Sequence, residues 1–283
     1  MARYTFSGHE SFFCKSLWLK KGYDAVKGGL NFNSPEAVAV LGVGKNMAAS
    51  IRFWLKAFAL VDDGGVTKFA DYIFSDKVGK DPFIEDVGTN WLLHYMLVKT
   101  GAASIYHLAF LDFKREKKEF DTDQLLSFLK RKCNVPEQKN VYNENTVKKD
   151  IKVLLQNYVS PADTKTIEDF SAILIDLGLL KRTGRDKFIF AETSVSSIDP
   201  RIILYTLLDI KQETGNNTLS LDLLQQIALT YGLSIAGLVE IIQGLVSSYP
   251  ELLAYTDNSG IKNVQFLQAI DPYIILDSYY NER

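Results

Sequence analysis

Few side chains in this sequence have the chemistry of a reactive site, and most of them fall in two short segments. His9 is followed directly by Glu10, while Asp81, Glu85 and Asp86 precede His94. His9, Glu10, Asp81, Glu85, Asp86 and His94 together carry the donor types of a metal or acid–base site. Paired-ligand spacing is missing, so no metal site is assigned from them. The plainer expectation is buried polar bracing, with His9 against a carboxylate of the 81–86 segment and His94 nearby. Ser7-x-x-Glu10 ahead of an apolar run has the capping-box pattern, which predicts a helix start there. No Ser-His-Asp or Cys-His arrangement accompanies these residues.

Gly42-Val43-Gly44-Lys45-Asn46 invites a phosphate-loop reading. That motif needs Gly at position 39 and Ser or Thr after the lysine, where this chain has Ala39 and Asn46. The glycines instead predict a tight turn between two helices, and no cofactor is expected.

A second chemistry is carried by cations at helical spacing. From Lys45 onward, Met47, Ile51, Trp54, Leu55 and Phe58 share one helix face, and Lys45, Ala49, Arg52 and Lys56 share the other. The pattern returns a hundred residues later. Val147, Ile151, Leu154, Leu155 and Tyr158 face inward there, with Asn145, Lys149, Lys152 and Gln156 outward. A helix that docks by an apolar stripe and shows a cationic one suits contact with phosphates. The candidate DNA-binding residues are therefore Lys45, Asn46, Arg52 and Lys56 in the first helix and Asn145, Lys148, Lys149 and Lys152 in the second. Asn46 or Asn145 could read an adenine edge. Lys181, Arg182 and Arg185 join them at the tip of an expected hairpin.

These helices need a scaffold, and the punctuation of the chain supplies one. Ser34-Pro35-Glu36 starts a short helix that Gly42 ends, and Asp62-Asp63-Gly64-Gly65 stops the long one. Asp121 and Thr122 cap a helix over 121–132, and 145–158 follows as its partner. A further helix is expected over 166–180, then a strand over 187–191. Helices over 201–211, 219–230 and 235–247, and strands around Asp257-Asn258-Ser259-Gly260, repeat the arrangement without Lys or Arg on the third helix. The expected fold class is mainly α, with tandem helix-turn-helix or winged-helix-like units and small β-hairpin wings. Three domains are expected, over 1–110, 111–195 and 196–283.

Charge follows the same division. Residues 1–60 hold eight Lys and Arg against three Asp and Glu, 114–158 hold eleven against seven, and 186–283 hold five against twelve. A polyanion is drawn to the first two stretches and repelled by the last. No apolar run has the roughly 20 residues of a membrane span, and the N-terminus lacks a signal-peptide pattern. Two isolated cysteines, Cys14 and Cys133, fit a reducing, cytoplasmic setting.

Phe6-Ser7-Gly8-His9-Glu10-Ser11-Phe12, Trp18-Leu19-Lys20-Lys21-Gly22, Leu41-Gly42-Val43-Gly44-Lys45-Asn46-Met47, Ser50-Ile51-Arg52-Phe53-Trp54, Asp81-Pro82-Phe83-Ile84-Glu85-Asp86 and Trp91-Leu92-Leu93-His94-Tyr95 occur in this order. In that order and spacing the chain resembles a bacterial family, the domain-of-unknown-function 4007 family, with Ser11 where the family usually has Thr. The resemblance implies a setting among DNA phosphorothioation and phage-defence genes, hence DNA or the proteins of a DNA-modifying complex as partners. It implies no catalytic residue. The leading expectation is a non-enzymatic DNA-binding component. An interaction adaptor that never touches DNA is the alternative, and a metal-dependent enzyme acting on DNA the third.

Overall fold

Side-chain caps at Thr67, Asp86, Asp121, Asn143, Asp199, Ser234 and Asp271 set where seven of the helices start. The structure, a computed structural model, describes residues 3–161, 172–258 and 261–283. Two compact units divide it, residues 1–191 and 192–283.

The first unit opens with an extended arm and then α1 (Trp18–Lys27), α2 (Glu36–Leu41) and α3 (Lys45–Ala57). Gly42 takes a left-handed φ of 59° to end α2, and extended Gly44 leads into α3. A two-residue hairpin follows, β1 (Val61–Asp62) and β2 (Gly65–Val66), and then α4 (Lys68–Phe74), capped by the Thr67 side chain. Asp86 caps α5 (Val87–Thr100), in which every residue from Gly88 to Val98 is buried. After α6 (Ser104–His107) the chain passes through a π-helical stretch, Leu108–Phe113, into α7 (Lys114–Glu116). Strand β3 (Glu119–Asp121) ends in a capping box formed by Asp121 and Gln124, which starts α8 (Thr122–Cys133). Asn143 caps α9 (Glu144–Tyr158). The expected helix over 166–180 begins in residues 162–171, outside those described. Its described end holds a 3-10 turn, Ile175–Leu177, because left-handed Gly178 stops it before β4 (Leu180–Gly184). Strand β5 (Lys187–Phe190) then lies between β3 and β4, antiparallel to both.

The second unit repeats this order of elements. α10 (Pro200–Thr214), β6 (Thr218–Leu219), α11 (Leu221–Tyr231) and α12 (Ile235–Ser248) precede a hairpin of β7 (Leu253–Asn258) and β8 (Ile261–Phe266), and α13 (Pro272–Tyr280) closes it. The sheet order β6-β8-β7 matches β3-β5-β4. The chain is thus predominantly helical, with small antiparallel sheets. Among the described residues no single helix is long and apolar enough to cross a membrane.

The expected domains 1–110 and 111–195 share one unit, up to Ala191, for two reasons. Trp54 of α3 packs on Tyr106 of α6 (ring centroids 6.0 Å apart), Tyr106 on Tyr158 of α9 (6.1 Å), and Tyr158 on Phe110 (5.0 Å). All four rings are essentially inaccessible to solvent, so one aromatic core spans the expected boundary. The arm makes the second connection. The Thr5 and Tyr4 amides donate to Ser104 Oγ and Gln138 Oε1, each at 2.8 Å, and the Cys14 amide donates to Asn157 Oδ1 at 3.1 Å.

Candidate nucleic-acid interface

No helix begins at Ser7. Residues Ser7, Gly8, Glu10 and Ser11 all have positive φ, between 50° and 100°, and the first helix waits until Trp18. The capping-box expectation fails because the Ser7 amide is bound elsewhere. It donates to both carboxylate oxygens of Asp150, at 3.1 and 3.0 Å, across 143 residues of sequence.

His9 holds the loop in place. Its Nδ1 accepts the Ser11 amide at 3.0 Å, so the ring proton sits on Nε2, which donates to Asp150 Oδ1 at 2.8 Å. The His9 carbonyl accepts the Ser50 hydroxyl at 2.9 Å, and the ring stacks on Trp54 with centroids 6.1 Å apart. His9 and Asp150 are each only 3% exposed. Ser50 and Asp150 occupy matching places in the two amphipathic helices, three residues after Met47 and Val147. Each is a polar residue on an otherwise apolar face, and His9 uses both. A ring whose two nitrogens are both engaged in this way has no lone pair to offer a metal.

The expected His9–Asp81 grouping does not form. Asp81 accepts the amides of Glu85 and Asp86 at 2.9 and 3.0 Å, Glu85 itself is exposed, and Asp86 caps α5. His94 Nδ1 is hydrogen-bonded to the Tyr158 hydroxyl at 2.6 Å inside the aromatic core, and burial pushes that phenol well above its ordinary pKa. Among the described residues no three His, Cys, Asp or Glu side chains cluster as metal ligands.

The pinned loop lies beside residues of both amphipathic helices. Ser7, His9, Glu10 and Ser11 line a cavity of ≈ 260 Å³ with Asn46 from α3 and Thr146 and Lys149 from α9. Lys45, Asn46, Arg52 and Lys56 are exposed on α3, as are Asn145, Lys148, Lys149 and Lys152 on α9. Their charges are not equally available. Arg52 donates to Asn33 Oδ1 at 2.7 Å, Lys56 lies 3.8 Å from Asp63, and Lys148 is bound to Glu144 at 2.7 Å, which raises its pKa. Among the described residues Lys45, Lys149 and Lys152 have no such partner.

The hairpin of β4 and β5 extends this surface. Lys181, Arg182 and Arg185 are exposed, and the Arg182 guanidinium lies over the Phe188 ring at 4.9 Å while donating to the Arg185 carbonyl. Arg182 shares a cleft of ≈ 560 Å³ with Lys148 and Lys152. Asp150 and Ser50, the residues that build the joint, were open to detection as polar breaks in apolar stripes.

Gly8 tests how firmly the loop is held. It has φ +100°, and a Cβ there would lie 2.5 Å from the Phe53 ring. Gly8→Ala is expected to cost about 1–3 kcal/mol of stability. A thermal melt of the purified variant checks this, and an unshifted midpoint would mean that Phe53 and the loop simply move aside.

A family model described as Protein of unknown function (DUF4007) matches residues 6–280. The chain belongs to this family. Two solved structures are similar to it over nearly its whole length. One is the SspB crystal structure, at 26% identity and a TM-score of 0.84, and the other is magnesium ion-bound SspB, at 25% and 0.83. Each comparison covers 98% of this chain and 88% of the other. A comparison with curated proteins gives no match.

Proposed function

We propose that this chain is a DNA-binding component of a bacterial DNA-modification system, of the phosphorothioation type, or of a phage-defence system. In this reading it grips duplex through α3 and α9. The observation that carries the reading is the shared cavity. Two amphipathic helices present exposed cations, and the Ser7–Ser11 loop joins their outward faces at Asn46 and Lys149. Helix–turn–helix order before a short hairpin supports treating each as a winged-helix-like unit, with α3 and α9 in the groove-facing position and the β4–β5 hairpin as a wing. Family membership and the likeness to SspB support a place in such a system. The second unit has the same element order, but its α12 bears no Lys or Arg, which suits a protein partner better than a polyanion.

The test is a titration of the full chain with duplex DNA at several salt concentrations. Phosphate contacts release counterions, so log K falls against log [salt] with a slope of about −0.9 per contact. A slope of about −4 or steeper is expected. Binding that is absent, or insensitive to salt, would overturn the reading.

One observation favours the adaptor reading beside it. Leu17 and Val40, 58% and 60% exposed, line a cleft of ≈ 780 Å³ between α1 and α2, and exposed apolar side chains around a cleft suit a protein contact. The magnesium ion in one SspB structure belongs to that protein. Among the described residues of this chain no cluster of His, Cys, Asp or Glu side chains would hold such an ion.

A further inference from the structure

Glu10 is out of place on a surface that would face phosphates. Its side chain is exposed and lines the same cavity as Asn46 and Lys149. Among the described residues it has no hydrogen-bond or ion-pair partner, unlike its neighbours His9 and Ser11. The backbone there is nonetheless fixed in a conformation that glutamate rarely adopts, φ +50°. The bonds that hold the loop come from Ser7, His9, Ser11, Phe12 and Ser50, and none uses the Glu10 carboxylate.

A free carboxylate beside two phosphate-facing helices lowers affinity for any polyanion, whatever its sequence. The groups on duplex DNA that reward it are donors. In the major groove, where a helix of this kind fits, those donors are the exocyclic amines of cytosine (N4) and adenine (N6). We propose that Glu10 is a specificity-determining residue that accepts a hydrogen bond from one such amine, with Asn46 and Lys149 flanking the same base step. This inference rests on the DNA-binding reading above. In exchange for weaker general binding it gives discrimination, because a base without the amine leaves the carboxylate facing an acceptor.

The experiment selects duplexes from a pool with a randomised tract, using the full-length wild-type chain, Glu10→Gln and Glu10→Gly. Glycine relieves the left-handed φ, so Glu10→Gly removes the carboxylate without threatening the fold. Wild type should enrich cytosine or adenine at one position by about tenfold or more, and the base enriched distinguishes the two amines. Glu10→Gly should lose that enrichment while binding the unselected pool more tightly. Glu10→Gln should lose most of the preference for cytosine, or keep it for adenine, whose edge glutamine can also bind. Wild type with salt-dependent binding but no positional preference, or a preference that survives in Glu10→Gly, would overturn the inference and leave the DNA reading intact. Loss of all duplex binding by wild type would overturn both.

Discussion

Reversing the two unpaired lysines of α9, Lys149→Glu with Lys152→Glu, is expected to lower duplex affinity by about two orders of magnitude at physiological salt. The expectation follows from what each lysine is doing in the free protein. Lys149 and Lys152 are exposed, lie one helical turn apart and have no acidic partner among the described residues. Their charge is therefore available to phosphates without first breaking an ion pair. Replacing each by alanine should also lower the salt slope by about one. Lys148 provides an internal comparison, because its ammonium is held by Glu144 one turn away. Lys148→Ala should have the smaller effect, since part of its charge is already neutralised. The substitutions sit on the outward face of a helix whose buried face is unchanged, and glutamate is nearly as good a helix former as lysine. Circular dichroism should show the wild-type helix content. A folded double variant with undiminished affinity would remove α9 from the interface.

The second large effect is expected at Asp150, which carries no exposed charge at all. Asp150→Ala leaves the Ser7 amide and the buried His9 Nε2–H, both of which donate to the carboxylate, without that acceptor. Removing one side of such an arrangement costs on the order of 3 kcal/mol. For a domain of this size the melting point falls by roughly 6–12 °C. Duplex affinity should fall as well, because the loop no longer ties α3 to α9. Asp150→Asn separates the two effects. Its single carbonyl oxygen still accepts from His9, but its amide opposes the Ser7 N–H, so an intermediate melting point is expected. Differential scanning calorimetry and the salt titration together read both consequences. An Asp150→Ala protein with the wild-type melting point would show that the arm does not depend on this residue.

The helices were the legible part of this chain. The stripes of α3 and α9, the Asp121 cap and the turn at Gly42 all follow from local rules, and each of these elements is present. The expected grouping of His9 with Asp81 fails because residue type alone does not say which carboxylate a histidine reaches. Asp81 spends its carboxylate on its own loop, and His9 reaches a residue 141 positions away. Long-range pairing of this kind leaves no periodic trace. What it does leave is a polar residue where an apolar one belongs, as at Ser50 and Asp150. The continuity across residue 110 leaves no sequence signal for a similar reason, since Trp54 and Tyr106 look like the core of one module and Tyr158 like that of the next until their rings are seen to touch.

The arm also bears on the order in which the molecule can assemble. Its first contacts in sequence are among its last in time, since Ser7 and His9 leave the ribosome long before Asp150 exists to receive them. Closing a loop of that length costs entropy early and is repaid only when both ends are formed. The surface joining α3 and α9 is therefore completed late, once α9 has folded. A nascent or truncated chain that ends before residue 150 would display the first basic helix with its connecting loop unset.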